Sequence, residues 1–398
     1  MSKRLFACFA LLASIAVPAA AQEGPNPVVE GMMKSDGISS EEAQRRLALL
    51  EEANRIGNRM EAEEPVRYAG IRVQQGRDFA IFVRIVGEGE SILKRYTTDP
   101  AFRVEKADTP LRALRNKQQA LINAMDKKTE FAVSLDVAAG KVRVLVLDAA
   151  AVRGRLQSSG LLASDVIVEE VPDVISPAVA IVGGYQVRGK AWAVTGGGTV
   201  NDTASLGFNI VHVPSNVRGV LTAGHFDECK FSVAVASCTK NSPATDTKSG
   251  ATLDFQAQRM GGEYDYEWRT SGGNTFSNQI WYGANMAVTQ VYDVEAYQPN
   301  TLSVCKYGHA TGYTCGLVEN PREFVSDPAY GISGYFARVK RNTTGNMADS
   351  GDSGGPVFGN ATAFGLVTAK FSSGTFAGQM AFMPIKRIGP DLRVLTTP

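Results

Sequence analysis

The strongest constraint on the fold is a change in residue pattern near residue 175. Up to about Pro172 the chain carries most of its long charged side chains, and its apolar residues are spaced as in helices and strands. From Ile181 onward it is rich in Gly, Ser and Thr. Short apolar runs then occupy residues 217–223, 251–257, 286–295, 301–306, 334–340 and 363–371. Because Gly, Asn, Ser or Pro separates these runs, the sequence predicts an all-β sandwich or barrel over 181–398, behind an α+β segment.

The α+β segment contains two predicted helices. One begins at Ser39, because Glu42 three residues later completes a capping box. The other begins at Thr109, a capping residue that is followed by Pro110 at the first helical position. Strands are predicted at residues 78–86, 130–137 and 141–148, the last two as a hairpin. The apolar faces of these helices and strands are typical of an ordinary hydrophobic core. No cluster of residues in this segment indicates a catalytic or binding site.

Residues 1–21 are predicted to be a signal peptide. Lys3 and Arg4 form its positive start, 5–17 its apolar stretch and 19–21 its cleavage site of small residues. The apolar stretch is shorter than the roughly 20 residues that a membrane span needs. We therefore expect a secreted or periplasmic protein that has no membrane contact after the signal is removed.

Composition and spacing argue against a zinc site and a nucleic-acid partner. The formal net charge is +1, whereas a nucleic-acid binder normally shows a basic excess or patch. A zinc site is the alternative use of the cysteines. Their spacing does not fit it, and none of the three histidines lies near another in the sequence.

Disulfides are the more natural use of the cysteines in an exported chain. Four cysteines remain after the signal peptide: Cys229, Cys238, Cys305 and Cys315. An even number in an oxidising compartment favours disulfides. Three pairings are open, and the sequence-local one joins Cys229 to Cys238 and Cys305 to Cys315.

The motif most typical of chemistry is G-D-S-G-G-P at residues 351–356. A serine hydroxyl is a poor nucleophile at its free pKa, so it needs a neighbouring base and a prepared site for the developing anion. The glycines allow a sharp turn in which the amides of Gly351 and Ser353 point to one spot beside the hydroxyl. Such an oxyanion hole stabilises the transition state by roughly 3 kcal/mol per donor. Ser353 is the candidate nucleophile, and the alternative is an ordinary Gly-Ser turn.

Three histidines are available as the base. His225 ends the apolar run V-L-T-A-G-H, where the strand breaks at Ala-Gly and presents the imidazole. His212 lies inside the apolar run N-I-V-H-V and is more typical of a hydrogen-bonded strand residue. His309 lies in a glycine-rich turn, either on the surface or in a cleft. We therefore select His225.

The base needs a carboxylate that fixes its tautomer and stabilises its cation. Asp265 is the first choice, because a turn leads there into an aromatic-rich strand that can bury a carboxylate. Asp254 is the second choice. Asp352 stands beside the nucleophile and has a separate possible role.

Four motifs together resemble the bacterial chymotrypsin-like serine proteases of the α-lytic protease and streptogrisin group. They are I-V-G-G at 181–184, L-T-A-G-H at 221–225, C-x-x-G-x-x-T-G-x-x-C-G at 305–316, and G-D-S-G-G-P at 351–356. Their order and spacing fit the group over nearly all of 181–398. The chain order His, Asp, Ser also agrees with it.

The resemblance implies two six-stranded antiparallel β-barrels with the active site between them. His225 and Asp265 would come from the first barrel and Ser353 from the second, and Asp352 would help to form the oxyanion loop. The expected activity is hydrolysis of protein or peptide substrates through an acyl-enzyme, without a cofactor. The group also links the equivalents of Cys305 and Cys315.

The resemblance further implies that residues 22–180 are a pro-region. Such segments assist folding and inhibit the enzyme as an intramolecular partner. All-β folds with many long-range contacts fold slowly, which gives a folding assistant a physical rationale. The precursor is expected to process itself, and cleavage near Ala178–Ile181 would release the mature enzyme.

The chain also departs from the group. The residue after the catalytic histidine is Phe226 where the group commonly has a cysteine, and the usual partner position near 204–206 has none. A second bridge normally starts at about Met347, and segment 363–385 supplies no partner. In each case both cysteines of the bridge are absent, as expected where side-chain packing replaces a disulfide.

The substrate pocket is unusual as well. Its predicted residues are Met347, Ala348, Thr368, Ala369 and Lys370. Lys370 either narrows the pocket, offers a cation to an acidic side chain, or points to solvent. The sequence predicts a medium or large uncharged side chain before the cleaved bond.

Two other functions compete. A non-catalytic, protease-like binding protein normally shows a broken triad, whereas all three members stand here. An esterase or lipase would show the chain order Ser, Asp, His, the reverse of that seen.

Overall fold

The computed structural model describes residues 26–76, 78–126, 128–171, 176–177, 186–193, 199–226, 243–272, 274–328 and 331–397. The signal peptide, the I-V-G-G motif, the expected cleavage region at 178–181, Cys229 and Cys238 lie outside these residues. None of the helices within the described ranges is long and apolar enough to span a membrane.

The first segment is α+β, as its pattern predicts. Its helices are α1 (Pro27–Asp36), α2 (Ser40–Glu63), α3 (Glu90–Leu93), α4 (Leu111–Ala124) and α5 (Ala149–Ser158). Its strands form two groups, β1 (Tyr68–Gln74), β2 (Ala80–Val86) and β3 (Phe102–Ala107), then β4 (Phe131–Asp136), β5 (Lys141–Val146) and β6 (Val166–Glu170).

Local residue chemistry explains where these elements begin. The Ser39 side chain accepts a hydrogen bond from the Glu42 amide at 3.2 Å, so it caps α2. Pro110 is the N-cap residue of α4, so this helix begins at Leu111, one residue later than predicted. Gly140 has a φ of +66° in the β4–β5 turn, which favours glycine.

The first barrel closes from six antiparallel strands. They are β8 (Gln186–Ala193), β9 (Thr199–His212), β10 (Val217–Thr222), β11 (Ala244–Asp246), β12 (Thr252–Gly261) and β13 (Tyr264–Thr270). Their order is β10-β13-β12-β11-β8-β9, and β9 pairs back onto β10. The carboxyl-terminal strand β23 (Leu392–Val394) adds to β9.

The second barrel repeats this arrangement. Its six strands are β17 (Ser303–Gly308), β18 (Gly312–Asp327), β19 (Ile332–Arg341), β20 (Pro356–Gly359), β21 (Thr362–Lys370) and β22 (Met380–Pro384). Their order is β17-β20-β21-β22-β19-β18, closed by β18 on β17. Cys305 and Cys315 join β17 to β18 in the predicted disulfide, with an S–S distance of 2.09 Å. Two closed antiparallel barrels behind an α+β segment confirm the predicted fold class.

One predicted apolar run is not a single strand. Between the barrels lie β14 (Gln279–Trp281), β15 (Asn285–Ala287) and β16 (Gln290–Val291). Run 286–295 is divided among β15, β16 and a short 3-10 helix at Val294–Ala296. Asp293 accepts a hydrogen bond from the Glu295 amide at 3.0 Å, which turns the chain and ends the extended stretch.

The first segment is joined to the second barrel by two strand pairings. Strand β4 pairs with β18, with Val133 opposite Phe324, so the barrel sheet continues into β5 and β6. The short strand β7 (Ser176–Pro177) pairs antiparallel with the end of β21. Helix α1 packs beside the disulfide, since a Cβ on Gly31 would lie 2.3 Å from the Cys315 sulfur.

Packing occupies the positions of the two missing bridges. Phe226 is buried in the same apolar cluster as Ala204 and Leu206. Met347 lies in the core of the second barrel together with Met380. These two clusters include the positions, Phe226 and Met347, at which the sequence predicts a bridge to be missing.

Candidate active site

Three side chains meet between the barrels. His225 follows β10, Asp265 lies near the start of β13, and Ser353 lies in the turn before β20. His225 Nδ1 is 3.0 Å from each carboxylate oxygen of Asp265, and Nε2 is 2.8 Å from Ser353 Oγ. The Asp265 carboxylate also accepts the His225 amide at 2.9 Å, which fixes the ring on the strand. The arrangement allows a proton to pass from the hydroxyl to the imidazole, whose cation the carboxylate stabilises.

Two glycines bring the histidine and serine turns close to neighbouring backbone. A Cβ on Gly224 would lie 2.6 Å from the Tyr266 amide nitrogen. A Cβ on Gly354 would lie 2.3 Å from the Ser205 carbonyl oxygen, and this residue has a φ of +80°. Only glycine fits at these two approaches without a shift of backbone.

The Ser353 turn presents two amides beside the hydroxyl. Ser205 fixes this turn, because its hydroxyl donates to the Gly351 carbonyl at 3.0 Å and its amide donates to the Ser353 carbonyl at 2.7 Å. Within the described part of the chain, the amides of Gly351 and Ser353 donate no hydrogen bond. Both are therefore available to an oxyanion. Sequence reasoning missed Ser205, which lies in a long strand without a motif.

Asp352 anchors the same turn from inside the second barrel. Its carboxylate accepts hydrogen bonds from Lys306 Nζ at 2.8 Å, the Asp349 amide at 3.0 Å and the Thr311 hydroxyl at 2.6 Å. The amides of Ala310 and Thr311 also donate to it. Burial lowers the pKa of Lys306, and the Asp352 carboxylate acts in the opposite direction. Sequence reasoning missed Lys306, although it lies inside the C-x-x-G motif.

The other candidates lie elsewhere. His212 ends β9, bonds Ser215 at 2.7 Å and stacks on Trp268. His309 is exposed in the turn that carries the amides bound to Asp352. Asp254 lies opposite Thr270 on β12 and lines a surface groove with Arg218. Within the described ranges, no three His, Cys, Asp or Glu side chains converge as they would at a metal site.

The predicted pocket residues divide into two groups. Met347 and Ala348 are completely buried in the core of the second barrel. Thr368, Ala369 and Lys370 end β21, and the Thr368 carbonyl is 3.3 Å from Ser353 Oγ. Lys370 Nζ is hydrogen bonded to the Asp349 carboxylate, so this cation has an acidic partner within the chain. Burial raises the pKa of Asp349, but the hydrogen bonds from Lys370 and its neighbours outweigh this and lower it overall.

The side chains of Ser353 and His225 are buried. Ser353 is 0% exposed and His225 is 3% exposed. Strand β7 lies along the end of β21, next to the residue whose carbonyl approaches the Ser353 hydroxyl.

The fold and the site resemble one class of protein, the chymotrypsin-like bacterial serine proteases, as the motifs indicate. Streptogrisin-C of Streptomyces griseus is similar over nearly the whole chain, with 25% identity over 377 residues that cover 94% of this chain and 75% of that protein. No protein-family model matches the chain.

Two solved protease structures align with part of the chain. Protease A of Thermobifida fusca is 21% identical, covers 55% of this chain and 100% of its own, and has a TM-score of 0.39. The chymotrypsin of Cellulomonas bogoriensis is 20% identical, covers 54% of this chain and 98% of its own, and has a TM-score of 0.34.

Proposed function

We propose that the chain is the self-processing precursor of a secreted serine endopeptidase that cuts protein or peptide substrates. The observation that carries the proposal is the unbroken chain of contacts from Asp265 through His225 to the Ser353 hydroxyl. The similarity to streptogrisin-C supports the same class of enzyme.

The geometry supports a two-step reaction. His225 Nε2 takes the proton of Ser353 as its oxygen attacks the peptide carbonyl, and Asp265 stabilises the imidazolium. The amides of Gly351 and Ser353 bind the oxyanion. His225 then returns the proton to the leaving amine, which leaves an acyl-enzyme on Ser353. Water attacks the acyl-enzyme by the same route, and the free hydroxyl is restored.

A fluorophosphonate probe tests the nucleophile. Wild type, Ser353→Ala and the control Ser277→Ala, an exposed serine away from the site, are each cut with a trace of wild-type enzyme and then exposed to the probe. We expect labelling of wild type and Ser277→Ala alone. Labelling that survives Ser353→Ala would refute this assignment. Folded, processed wild type that is not labelled would favour the non-catalytic binding protein.

We also propose that residues 22–180 act as folding assistant and intramolecular inhibitor, behind a signal peptide at 1–21. Three observations support this: β4 extends the barrel sheet at β18, β7 lies on β21, and Ser353 is covered. The contact with β18 gives the second barrel an additional strand to fold against. Expression with and without 22–180 tests the folding role, and soluble active enzyme from both would refute it.

The location follows from the signal peptide and is tested by fractionation. We expect the processed chain outside the cytoplasm, in the periplasm or the medium, and deletion of 2–21 should retain it inside the cell.

A further inference from the structure

The disulfide of the second barrel closes a loop that holds the Ser353 turn. Cys305 and Cys315 enclose residues 306–314. This loop supplies four hydrogen bonds to the Asp352 carboxylate, from the side chains of Lys306 and Thr311 and from the amides of Ala310 and Thr311. Asp352 lies between the two residues whose amides are available to the oxyanion. The loop therefore positions both donors of the oxyanion hole.

Reduction of this disulfide would disturb the loop. Cys305 is 0% exposed and Cys315 is 8% exposed, and both lie in the same apolar cluster as Phe358. Two thiols need more room than one disulfide, because sulfurs that are not bonded cannot approach to bonding distance. In a closely packed site the strands must move to provide this room. Since β17 and β18 carry the loop, the donors to Asp352 move with them.

Helix α1 of the first segment covers the same disulfide. A Cβ on Gly31 would lie 2.3 Å from the Cys315 sulfur, so no reductant fits between the helix and this atom. The Cys305 sulfur lies 3.8 Å from the Pro27 carbonyl oxygen. The Tyr313 hydroxyl donates to that carbonyl and lies 3.3 Å from the Cys305 sulfur. Departure of the first segment removes the α1 contacts from both sulfurs.

We propose that the Cys305–Cys315 disulfide is a thiol-sensitive switch. A reductant with two thiols turns the processed enzyme off, and α1 protects the disulfide in the precursor. The inference goes beyond the proposed function and rests on it, because it requires the first segment to leave an active enzyme. Its consequence is that the processed enzyme works only in a compartment where disulfides persist.

The reaction is a thiol–disulfide exchange with a small dithiol. One thiolate of the reductant attacks the sulfur of Cys315, the more exposed of the two cysteines, and Cys305 leaves as a thiolate. The second thiolate of the reductant then attacks its own sulfur in the mixed disulfide, and Cys315 leaves. The reductant is oxidised by two electrons to a cyclic disulfide, and each cysteine takes up one proton.

Reduction of the precursor tests the protection by α1. All proteins carry Ser353→Ala, which prevents self-processing, and thiols freed by dithiothreitol are alkylated and mapped by peptide mass. Met32 is 1% exposed and Met33 is 37% exposed on the same helix. Met32→Asp puts a charge into the apolar contact and should release α1. We expect Cys305 and Cys315 to react at least about tenfold faster than in the matched control Met33→Asp. Equal rates in folded proteins would overturn the protection.

A milder variant carries this test if Met32→Asp does not fold. Gly31→Ala adds a Cβ that cannot stay 2.3 Å from the Cys315 sulfur, although alanine favours the helix itself. The helix must therefore move away from the disulfide. We expect severalfold faster reduction than in the control Met33→Ala, and equal rates would overturn the protection here too.

Processed enzyme tests the switch itself. Cys229→Ser with Cys238→Ser removes the other two cysteines of the exported chain, so dithiothreitol acts on Cys305 and Cys315 alone. If this double variant does not mature, wild type is used and its reduced cysteines are mapped. We expect kcat for a peptide substrate to fall at least about tenfold on reduction and to return on reoxidation. The change in KM should be smaller, because the displaced amides act in the transition state. Fully reduced enzyme that keeps kcat within about twofold would overturn the switch.

The two experiments separate this inference from the proposed function. Oxidised, processed enzyme without activity refutes the proposed function, whereas the precursor experiment needs no activity. Active oxidised enzyme that is insensitive to reduction refutes the switch alone.

Discussion

Glu169 of the first segment binds Thr375 of the second barrel through both carboxylate oxygens. Oε1 accepts the Thr375 amide at 2.8 Å, and Oε2 accepts its hydroxyl at 2.6 Å. Thr375 lies in the loop between β21 and β22, and Gly378 of that loop accepts the Met347 amide at 2.7 Å. The first segment therefore holds a loop that adjoins the turn of Ser353.

Removal of this contact should weaken the hold of the first segment. In Glu169→Ala both hydrogen bonds to the loop are lost, and partial exposure limits the expected loss to about 1 kcal/mol, or about fivefold in affinity. Precursor that has cut itself is diluted stepwise, and we expect protease activity to appear at about fivefold higher concentration than in wild type. Glu88→Ala, an exposed control, should match wild type. Coincident dilution curves for all three would show that the contact has no inhibitory role.

Asp265→Asn should reduce turnover while the fold is retained. The amide oxygen can still accept the His225 backbone amide, but the wrong imidazole tautomer is favoured and its cation is not stabilised. The same change of the triad aspartate in a well-studied serine protease lowers kcat about 10⁴-fold. We expect a loss of about that order here. Asp254→Asn, remote from the site, should retain wild-type kcat. A kcat for Asp265→Asn within tenfold of wild type would refute the role of this carboxylate.

Lys306→Met should destabilise the Ser353 turn more than a surface lysine change does. Asp352 would keep a buried carboxylate without its cationic partner, a defect that typically costs about 3–5 kcal/mol. Denaturant unfolding of the Ser353→Ala precursor background, which prevents self-cleavage, measures the difference. The control Lys340→Met should change the unfolding free energy by less than about 0.5 kcal/mol. Addition of Asp352→Asn to Lys306→Met should recover part of the loss, and a further loss would contradict the pairing.

Phe226→Ala should show how far packing replaces the missing bridge. The side chain is buried with Ala204 and Leu206, and Arg269 lies over its ring at 5.0 Å. Truncation of a buried Phe typically lowers the unfolding free energy by about 3–5 kcal/mol. Val213→Ala at a half-exposed position is the control and should have little effect. A loss below about 1 kcal/mol in Phe226→Ala would show that this cluster adds little.

Local patterns in the sequence predicted most of the helices and strands and the glycine-rich turn at Ser353, because these depend on neighbours in the chain. The capping of α2 by Ser39 and the turn around Ser353 are examples. The contact between Glu169 and Thr375 spans 206 residues and has no periodic signal. In the sequence, a glutamate that makes such a contact cannot be distinguished from an ordinary surface glutamate.

Chain order alone also leaves the register of long-range pairings open. The motifs located Ser353, but only the pairing of β7 with β21 relates Pro177 to Ala369 and so to the nucleophile. Lys306 shows the same limit, because its partner Asp352 lies 46 residues later in the chain. The prediction of a strand at 286–295 was wrong for a different reason. Asp293 turns the backbone at a point where apolar content alone indicated an extended strand.

The most direct test of the central claim is the intact mass of purified precursor over time. Wild type and Ser353→Ala are produced in parallel without other proteases, and both begin as the full chain after the signal peptide. We expect wild type to separate into two fragments at a rate that is independent of its concentration, while Ser353→Ala stays intact. Equal cutting of both proteins would mean that another protease matures the chain, and it would contradict the account of Ser353 as the nucleophile that releases its own enzyme.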